Sequence, residues 1–288
     1  MKQNLTIIVP TCDRPYQLAN AIASVVDNGG ASCAMLIVND GTGAPLSFQT
    51  KPGIDIVQTM GREGASRARN LGASLAKTDY IMFLDDDDII INDYVKDVLL
   101  AVERGEFLCG VCNTTQKTQR LSKKGVFQTQ PKHKLKDCVF GAGMGFWINR
   151  DLFNDMGGFD VDLRLDEDTE FFARLKSRKI KIHINQKVGV KIAPAEGTDA
   201  HERSRLTYSA PQLGAESYGA TLIKCLALPN ISLFDKLFLI RRFIRVASRA
   251  EVDVDALSCL RVEYHTSKIL KWPINMKKKL GSGFITRT

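Results

Sequence analysis

The sequence predicts an α/β fold: a mostly parallel, Rossmann-like sheet flanked by helices and followed by a helical C-terminal extension. Short β-rich runs alternate with segments of helical period through the first half, a pattern that argues strands joined by crossover helices. Strand ends at Pro10-Thr11-Cys12-Asp13, Asn39-Asp40-Gly41 and Asp85-Asp86-Asp87-Asp88 are polar or glycine-bearing. In an open parallel sheet such ends line the edge where ligands collect. From Tyr208 onward the pattern is helical only. Residues 1–206 are therefore read as one α/β domain and 207–288 as an extension.

In chain order, Leu5–Pro10 reads as a strand and Pro15–Asp27 as a helix. Ala34–Asn39 and Ile54–Gln58 follow as strands, Glu63–Lys77 as a helix, and Tyr80–Leu84 as the strand feeding the acidic run. Asn92-Asp93 is expected to cap the next helix, with Phe107–Cys112 a further strand. Thr114–His133 is polar, basic and without helical period, so a hairpin or loop is expected there. The glycine-rich stretch 141–145 leads into strand-like Phe146–Asn149, then Asp151–Asp155 and the turn Gly157-Gly158-Phe159-Asp160. Phe171, Phe172 and Leu175 have helical spacing within Asp166–Lys179, which puts Glu167 and Asp168 in a first turn, where the helix dipole favours carboxylates.

The 288-residue chain is 44% hydrophobic, enough for a substantial core. Its apolar runs fall short of the roughly 18 residues that span a bilayer, and Ile7-Ile8-Val9 is too short for a signal peptide, so a cytoplasmic protein is expected. Cys109-Gly110-Val111-Cys112 lacks a second pair or a nearby histidine and reads, like the other cysteines, as reduced and mostly buried. Lys/Arg and Asp/Glu number 27 and 27 in residues 1–223 but 13 and 5 in 224–288, so the whole surplus of +8 lies at the C-terminal end. Such a segment needs an anionic partner. Within it, Leu233, Leu237, Ile240, Ile244 and Ala247 form an apolar stripe while Arg241, Arg242, Arg245 and Arg249 occupy another arc. Either the stripe packs on the domain and the arginines are solvated, or the helix lies on an anionic membrane surface, helped by Trp272 and Lys277-Lys278-Lys279. The second reading spans residues 233–279 and makes the protein peripheral on the inner face of the plasma membrane. No nucleic-acid partner is expected, because no aromatic-interleaved basic motif or recognition helix accompanies the charge.

The acidic run carries the chemistry. Carboxylates this dense are costly unless a cation neutralises them. Hard divalent ions prefer oxygen ligands and usually enter such sites with a substrate's phosphates, so the run points to a metal-bound nucleotide. A solvated acidic turn is the plain alternative.

The order of motifs resembles the inverting nucleotide-sugar glycosyltransferases of family 2, with the GT-A fold. The resemblance covers residues 4–203. It rests on Ile7–Thr11 with Asp13-Arg14-Pro15, Val38-Asn39-Asp40-Gly41-Thr42, Gly64 with Ala68-Arg69-Asn70-Leu71-Gly72, Phe83–Asp88, Gly157–Asp160 and Glu167-Asp168. It implies that Asp40 hydrogen-bonds the nucleotide base and that Pro10, Thr11, Cys12 and Arg14 close over it. Asp85, Asp86 and Asp87 match the family's Asp-x-Asp motif, with Asp86 expected on the ribose and Asp87 on Mn²⁺ or Mg²⁺. Asp88 is a helix-side neighbour, an N-cap or turn residue as readily as a functional one. Arg67 and Arg69 are phosphate-binding or structural candidates, and His201 sits in a loop expected to fold over the nucleotide, on the metal or the diphosphate, with Arg203 assisting. This chain has Cys12 where family members frequently carry an aromatic residue that stacks on the base. A UDP-sugar donor is still expected, with a glycan or lipid-linked glycan acceptor.

Physical reasoning arrives at the same roles. Attack on an anomeric carbon needs a base for the acceptor hydroxyl, for which Asp168 is the candidate, and neutralisation of the departing diphosphate, for which an ion on Asp87 serves. Two other classes stay open at this point. Aspartate-nucleophile phosphatases also end a strand in carboxylates, though normally the first strand, and a non-catalytic nucleotide-sugar-binding domain docked at a membrane would keep the same motifs.

Overall fold

The computed structural model describes residues 4–42, 53–114, 145–192 and 211–249. Its contacts divide the chain into two units, Met1–Ala195 and Glu196–Thr288.

The first unit runs β1 (Leu5–Thr11), α1 (Pro15–Asp27), a 3₁₀ turn at Gly30–Ser32, β2 (Ala34–Asn39), β3 (Ile54–Gln58), α2 (Ala65–Leu75), β4 (Tyr80–Phe83), β5 (Ile89–Ile90), α3 (Tyr94–Arg104), β6 (Cys109–Thr114), β7 (Trp147–Asn149), α4 (Arg150–Asp155), α5 (Glu167–Ser177) and β8 (Ile182–Lys191). The strands form an eight-stranded sheet in the order β3-β2-β1-β4-β7-β6-β8-β5. Pairing is parallel from β3 to β4 and between β6 and β8; β7 runs antiparallel to both neighbours and β5 antiparallel to β8.

Both faces of the sheet are covered, so central strands are apolar throughout instead of alternating with polar residues. The period of two still sorts their side chains. Leu5, Ile7 and Val9 of β1, Met82 and Leu84 around β4, and Trp147 of β7 join one core cluster with Leu18, Ala21 and Val25 of α1 and Tyr94, Val95 and Val98 of α3. Residues in between turn to the other face, where Phe83 and Phe146 pack with Phe153, Phe159, Phe171 and Phe172. There α2 lies so close to β1 that a Cβ on Gly72 would stand 2.5 Å from the Ile8 side chain.

One expectation about elements changes, and one strand was not foreseen. Asn92 and Asp93 both adopt the left-handed conformation, with φ 57°, and Asp93 makes no side-chain cap on α3. Asn92 Nδ2 instead donates to the Val188 carbonyl and Asp93 accepts from Lys96 Nζ, so these residues anchor the entry to α3 sideways. β8, ten residues long, has no clear signature in the sequence: polar His183, Asn185, Gln186 and Lys187 interrupt it because its first half is only partly covered.

The second unit contains α6 (Pro211–Ala227) and α7 (Leu233–Arg249). Ser232 Oγ accepts from the Asp235 amide at 3.1 Å and donates to its carboxylate at 2.8 Å, a cap that starts α7. Arg242 lies 4.7 Å over the Tyr218 ring and so couples α7 to α6. Among the described residues no helix is long and apolar enough to cross a membrane.

Candidate active site

The C-terminal ends of β1, β2 and β4 lie side by side in the sheet, and the loops leaving them interlock. Thr11 ends β1 and donates from Oγ1 to Asp86 Oδ2 at 2.7 Å, while its carbonyl accepts from the Asp40 amide. Arg14 reaches the same acidic run, 3.1 Å from Asp86 and 3.4 Å from Asp87. Between these anchors Pro10 is buried, Cys12 is half-buried with its thiol donating to the Asp40 carbonyl, and Asp13 takes a left-handed turn with φ 57°. Gly41 lies against that turn, and a Cβ there would sit 2.3 Å from the Asp13 carboxylate, which would have to move aside. Arg62 closes the group with an ion pair to Asp13 at 3.2 Å.

Asp40 is buried, and its carboxylate accepts from Thr59 Oγ1, the Glu63 amide and the Gly64 amide at 2.5, 2.9 and 2.8 Å. A carboxylate has about four acceptor positions, so roughly one is left for a ligand. The side chain holds the approach to α2 in the same way that a cap holds a helix N-terminus, and this second duty was not visible in the motif.

Asp85, Asp87 and Asp88 each present a carboxylate oxygen within 4.8 Å of the other two. Such an all-oxygen donor set fits a hard divalent cation. Asp88 leads into β5 instead of a helix, and its amide bonds the Asp85 carbonyl, so the acidic run is a tight turn and not a helix cap. Asp86, turned toward Thr11 and Arg14, is outside the trio. Burial pushes its carboxyl up to about 6, against the Thr11 hydroxyl and Arg14, with Asp87 and Asp85 adding repulsion.

Arg69, on α2, joins this cluster to α5. One nitrogen donates to Asp85 at 2.6 Å and another to Glu167 at 2.7 Å. Burial works against its charge, but Asp85 and Glu167 outweigh that and hold the guanidinium protonated. Glu167 is pushed up by burial against the pull of Arg69, with Asp168 adding to the push. Asp168 follows in the first turn of α5 and accepts from the Thr169 amide at 2.6 Å, with its carboxylate half-exposed. The start of α5 is fixed by Asp166, left-handed with φ 70°, whose carboxylate accepts from the Thr169 hydroxyl at 2.6 Å.

The motifs around Asn70 and Gly158 prove to be one contact. Asn70 Nδ2 donates to the Phe159 carbonyl at 2.8 Å and its Oδ1 accepts the Phe159 amide at 2.9 Å, which replaces a strand partner. Gly158 has φ 68° and would put a Cβ 2.7 Å from Asn70 Oδ1, so glycine is needed for both reasons. Arg174 completes the support: it pairs with Glu170 at 2.7 Å and donates to the carbonyls of Met156 and Gly158. Sequence reasoning missed Thr59, Glu170 and Arg174, whose contribution is to hold backbone, and no residue pattern distinguishes them from ordinary surface polar groups. Arg67 lies on α2 and is exposed. His201 and Arg203, with the loop 196–205 and the segment 115–144, lie outside the described residues.

The cysteine pair is structural: Cys109 and Cys112 are buried in β6 and burial pushes both thiols up to about 12.

Comparison with known proteins supplies the family. The model of glycosyl transferase family 2 matches residues 6–157. An uncharacterized glycosyltransferase of Haemophilus influenzae is 24% identical over 182 residues, 59% of this chain and 61% of that protein. A second from the same organism is 28% identical over 102 residues, 31% of this chain and 38% of that one. The chain thus spans about three fifths of the first relative's length and less of the second's. Among solved structures, S. aureus TarS 1–349 has a TM-score of 0.62 at 16% identity, over 94% of this chain and 89% of that one. Mannosyltransferase PcManGT from Pyrobaculum calidifontis, in complex with GDP-Man and Mn²⁺, has a TM-score of 0.62 at 12% identity, over 96% and 84%. At these identities the structural likeness speaks to fold alone. The family match extends over more than half of the sequence, and the mixed sheet with its flanking helices has the GT-A architecture: the chain belongs to glycosyl transferase family 2.

Proposed function

We propose that this protein is an inverting, metal-dependent glycosyltransferase that moves a sugar from a nucleotide diphosphate sugar, best a UDP-sugar, to a hydroxyl of a glycan. The acceptor we favour is a lipid-linked glycan of lipopolysaccharide or surface-polysaccharide synthesis, which suits the basic C-terminal segment. One observation carries the reading: Arg69 binds Asp85 and Glu167 at once, so the acidic trio and the first turn of α5 face the same small space. A planar guanidinium with a hydrogen bond at each end keeps those two carboxylates within about 8 Å of one another.

In this reading Pro10, Thr11, Cys12, Arg14 and Asp40 receive the nucleoside, with Arg14 beside the diphosphate. Asp85, Asp87 and Asp88 would hold Mn²⁺ or Mg²⁺, which when bound neutralises charge on the leaving diphosphate. His201 is retained as a further metal ligand. Asp168, at the positive end of α5 and half-exposed, takes the proton from the acceptor hydroxyl. Glu167 is tied to Arg69 and therefore serves to position that turn. A nucleotide-sugar donor is in keeping with the structural neighbours, since TarS was solved with UDP and with UDP-GlcNAc and PcManGT with GDP-Man.

The test is nucleoside diphosphate release from UDP-, GDP- and dTDP-sugars with and without Mn²⁺. Metal-dependent release by the intact protein is expected for one donor, with Asp168→Asn losing turnover but still binding it and Asp87→Ala losing metal-dependent binding. Full activity of Asp168→Asn would remove Asp168 from the mechanism.

A further inference from the structure

Helix α7 is apolar on two sides. At about 100° per residue, Asp235, Leu239, Phe243 and Ala247 share one arc, and all are buried. On the opposite arc lie Leu233, Phe234, Leu237 and Arg241, with Ile244 and Arg245 at its edges. There Leu233, Phe234 and Leu237 are 69%, 46% and 50% exposed, and Arg241 is exposed beside them. Of the stripe that begins with Leu233 and Leu237, only Ala247 is buried. Anchoring falls to Leu239, Phe243 and Ala247, and Leu233 and Leu237 are left outward.

We propose that this outward arc of α7 docks on an anionic lipid bilayer. Its chemistry selects that occupant. Asp235 is the only acidic residue in Leu233–Arg249, and it lies on the buried side, bonded to Ser232. The outward arc thus holds arginine and no acidic residue of α7 itself, on a stretch of chain, 224–288, where basic residues outnumber acidic ones by 13 to 5. Leucine and phenylalanine between arginines suit a headgroup layer, where apolar side chains enter the acyl boundary and guanidinium groups meet lipid phosphates. A nucleic acid would use the arginines and leave the leucines in water. The proposal extends the lipid-linked acceptor reading to a named surface. It can fail or stand apart from that reading, because binding to vesicles is measured without turnover.

The experiment is flotation of the full chain with vesicles of phosphatidylcholine containing phosphatidylglycerol, compared with phosphatidylcholine alone. Wild type is expected to float with the anionic vesicles only. Leu233→Ser combined with Leu237→Ser should lower partitioning by about tenfold or more, and Arg241→Glu should lower it with the residual binding lost at high salt. Both variants change exposed positions, so thermal midpoint and nucleoside diphosphate release in free solution should match wild type. Failure of wild type to float, or equal flotation of the double-serine variant, overturns the proposal. So does unchanged flotation with a dimer turned to monomer, which would make the arc an interface between copies.

Discussion

Arg69→Met cuts the link between the acidic turn and α5 while leaving a side chain of similar length. Arg69 and Glu167 are 13% and 14% exposed, whereas Asp85 is 36% exposed and well screened by solvent. Removing one partner of a buried ion pair costs about 3–5 kcal/mol, because the other charge stays behind without compensation. Most of that falls on Glu167, so a loss of about 3 kcal/mol is expected, or a drop of about 6–12 °C in Tm for a unit this size. The sign of its pH dependence follows from Glu167. Its folded-state carboxyl already lies above the ordinary value, and loss of Arg69 raises it further. The folded state then binds the extra proton as pH falls toward the unfolded value, so stability is regained on acidification and the deficit is larger at pH 8 than at pH 5.5. Urea melts of metal-free wild type, Arg69→Met, Glu167→Gln and the double variant measure both quantities. The double variant should recover about 1–3 kcal/mol relative to additivity. A loss of less than about 0.5 kcal/mol for Arg69→Met, or strict additivity with Glu167→Gln, would refute the claim that this guanidinium compensates a buried carboxylate.

Asn70→Ala leaves the Phe159 amide and carbonyl without their side-chain partner in a buried turn, and a loss of about 2–4 kcal/mol in urea melts is expected, with Phe159 becoming less protected in hydrogen exchange. His183 is kept below its ordinary value by burial and by Arg104, so the unfolded chain takes up that proton first as pH falls. Its contribution is present above the ordinary histidine value and lost on acidification, and His183→Gln should flatten the stability profile below about pH 6.5. Arg14→Gln should change two affinities in opposite directions. Mn²⁺ binding without donor, followed by electron paramagnetic resonance, should tighten several-fold once Asp87 is freed of its cation, on the order of 1 kcal/mol, while donor binding weakens. Parallel weakening of both would show that Arg14 organises the acidic turn instead of competing for it.

Most of the fold was legible because its signals are local and repeat. The strands β1 to β4 and the helices α1 and α2 fall within a few residues of the sequence reading, since the apolar runs are bounded by proline, glycine and aspartate with definite turn chemistry. β8 was missed because it is covered only in its second half, so neither continuous hydrophobicity nor clean alternation marks it. The reading of α7 shows a related limit. Periodicity reveals that a helix has an apolar stripe, but Leu233/Leu237 and Leu239/Phe243/Ala247 are both stripes, and only packing decides which one is anchored.

The candidate site was legible in composition and not in connectivity. Four adjacent aspartates signal a need for positive charge, yet the sequence gives no measure of how that need is met. In the folded chain the four divide by direction. Asp86 turns back to Thr11 and Arg14 and fixes the β1 loop, while Asp85, Asp87 and Asp88 turn together, with Arg69 at one side. A turn, unlike a strand, sends successive side chains in unrelated directions, so adjacency in sequence says little about adjacency of carboxylates. The two arginines come from distant elements and neutralise part of the cluster. That division lets acidic residues be packed this densely in a stable fold: Arg14 and Arg69 offset part of their charge, and under the proposed reading a divalent ion on Asp85, Asp87 and Asp88 would offset more of it.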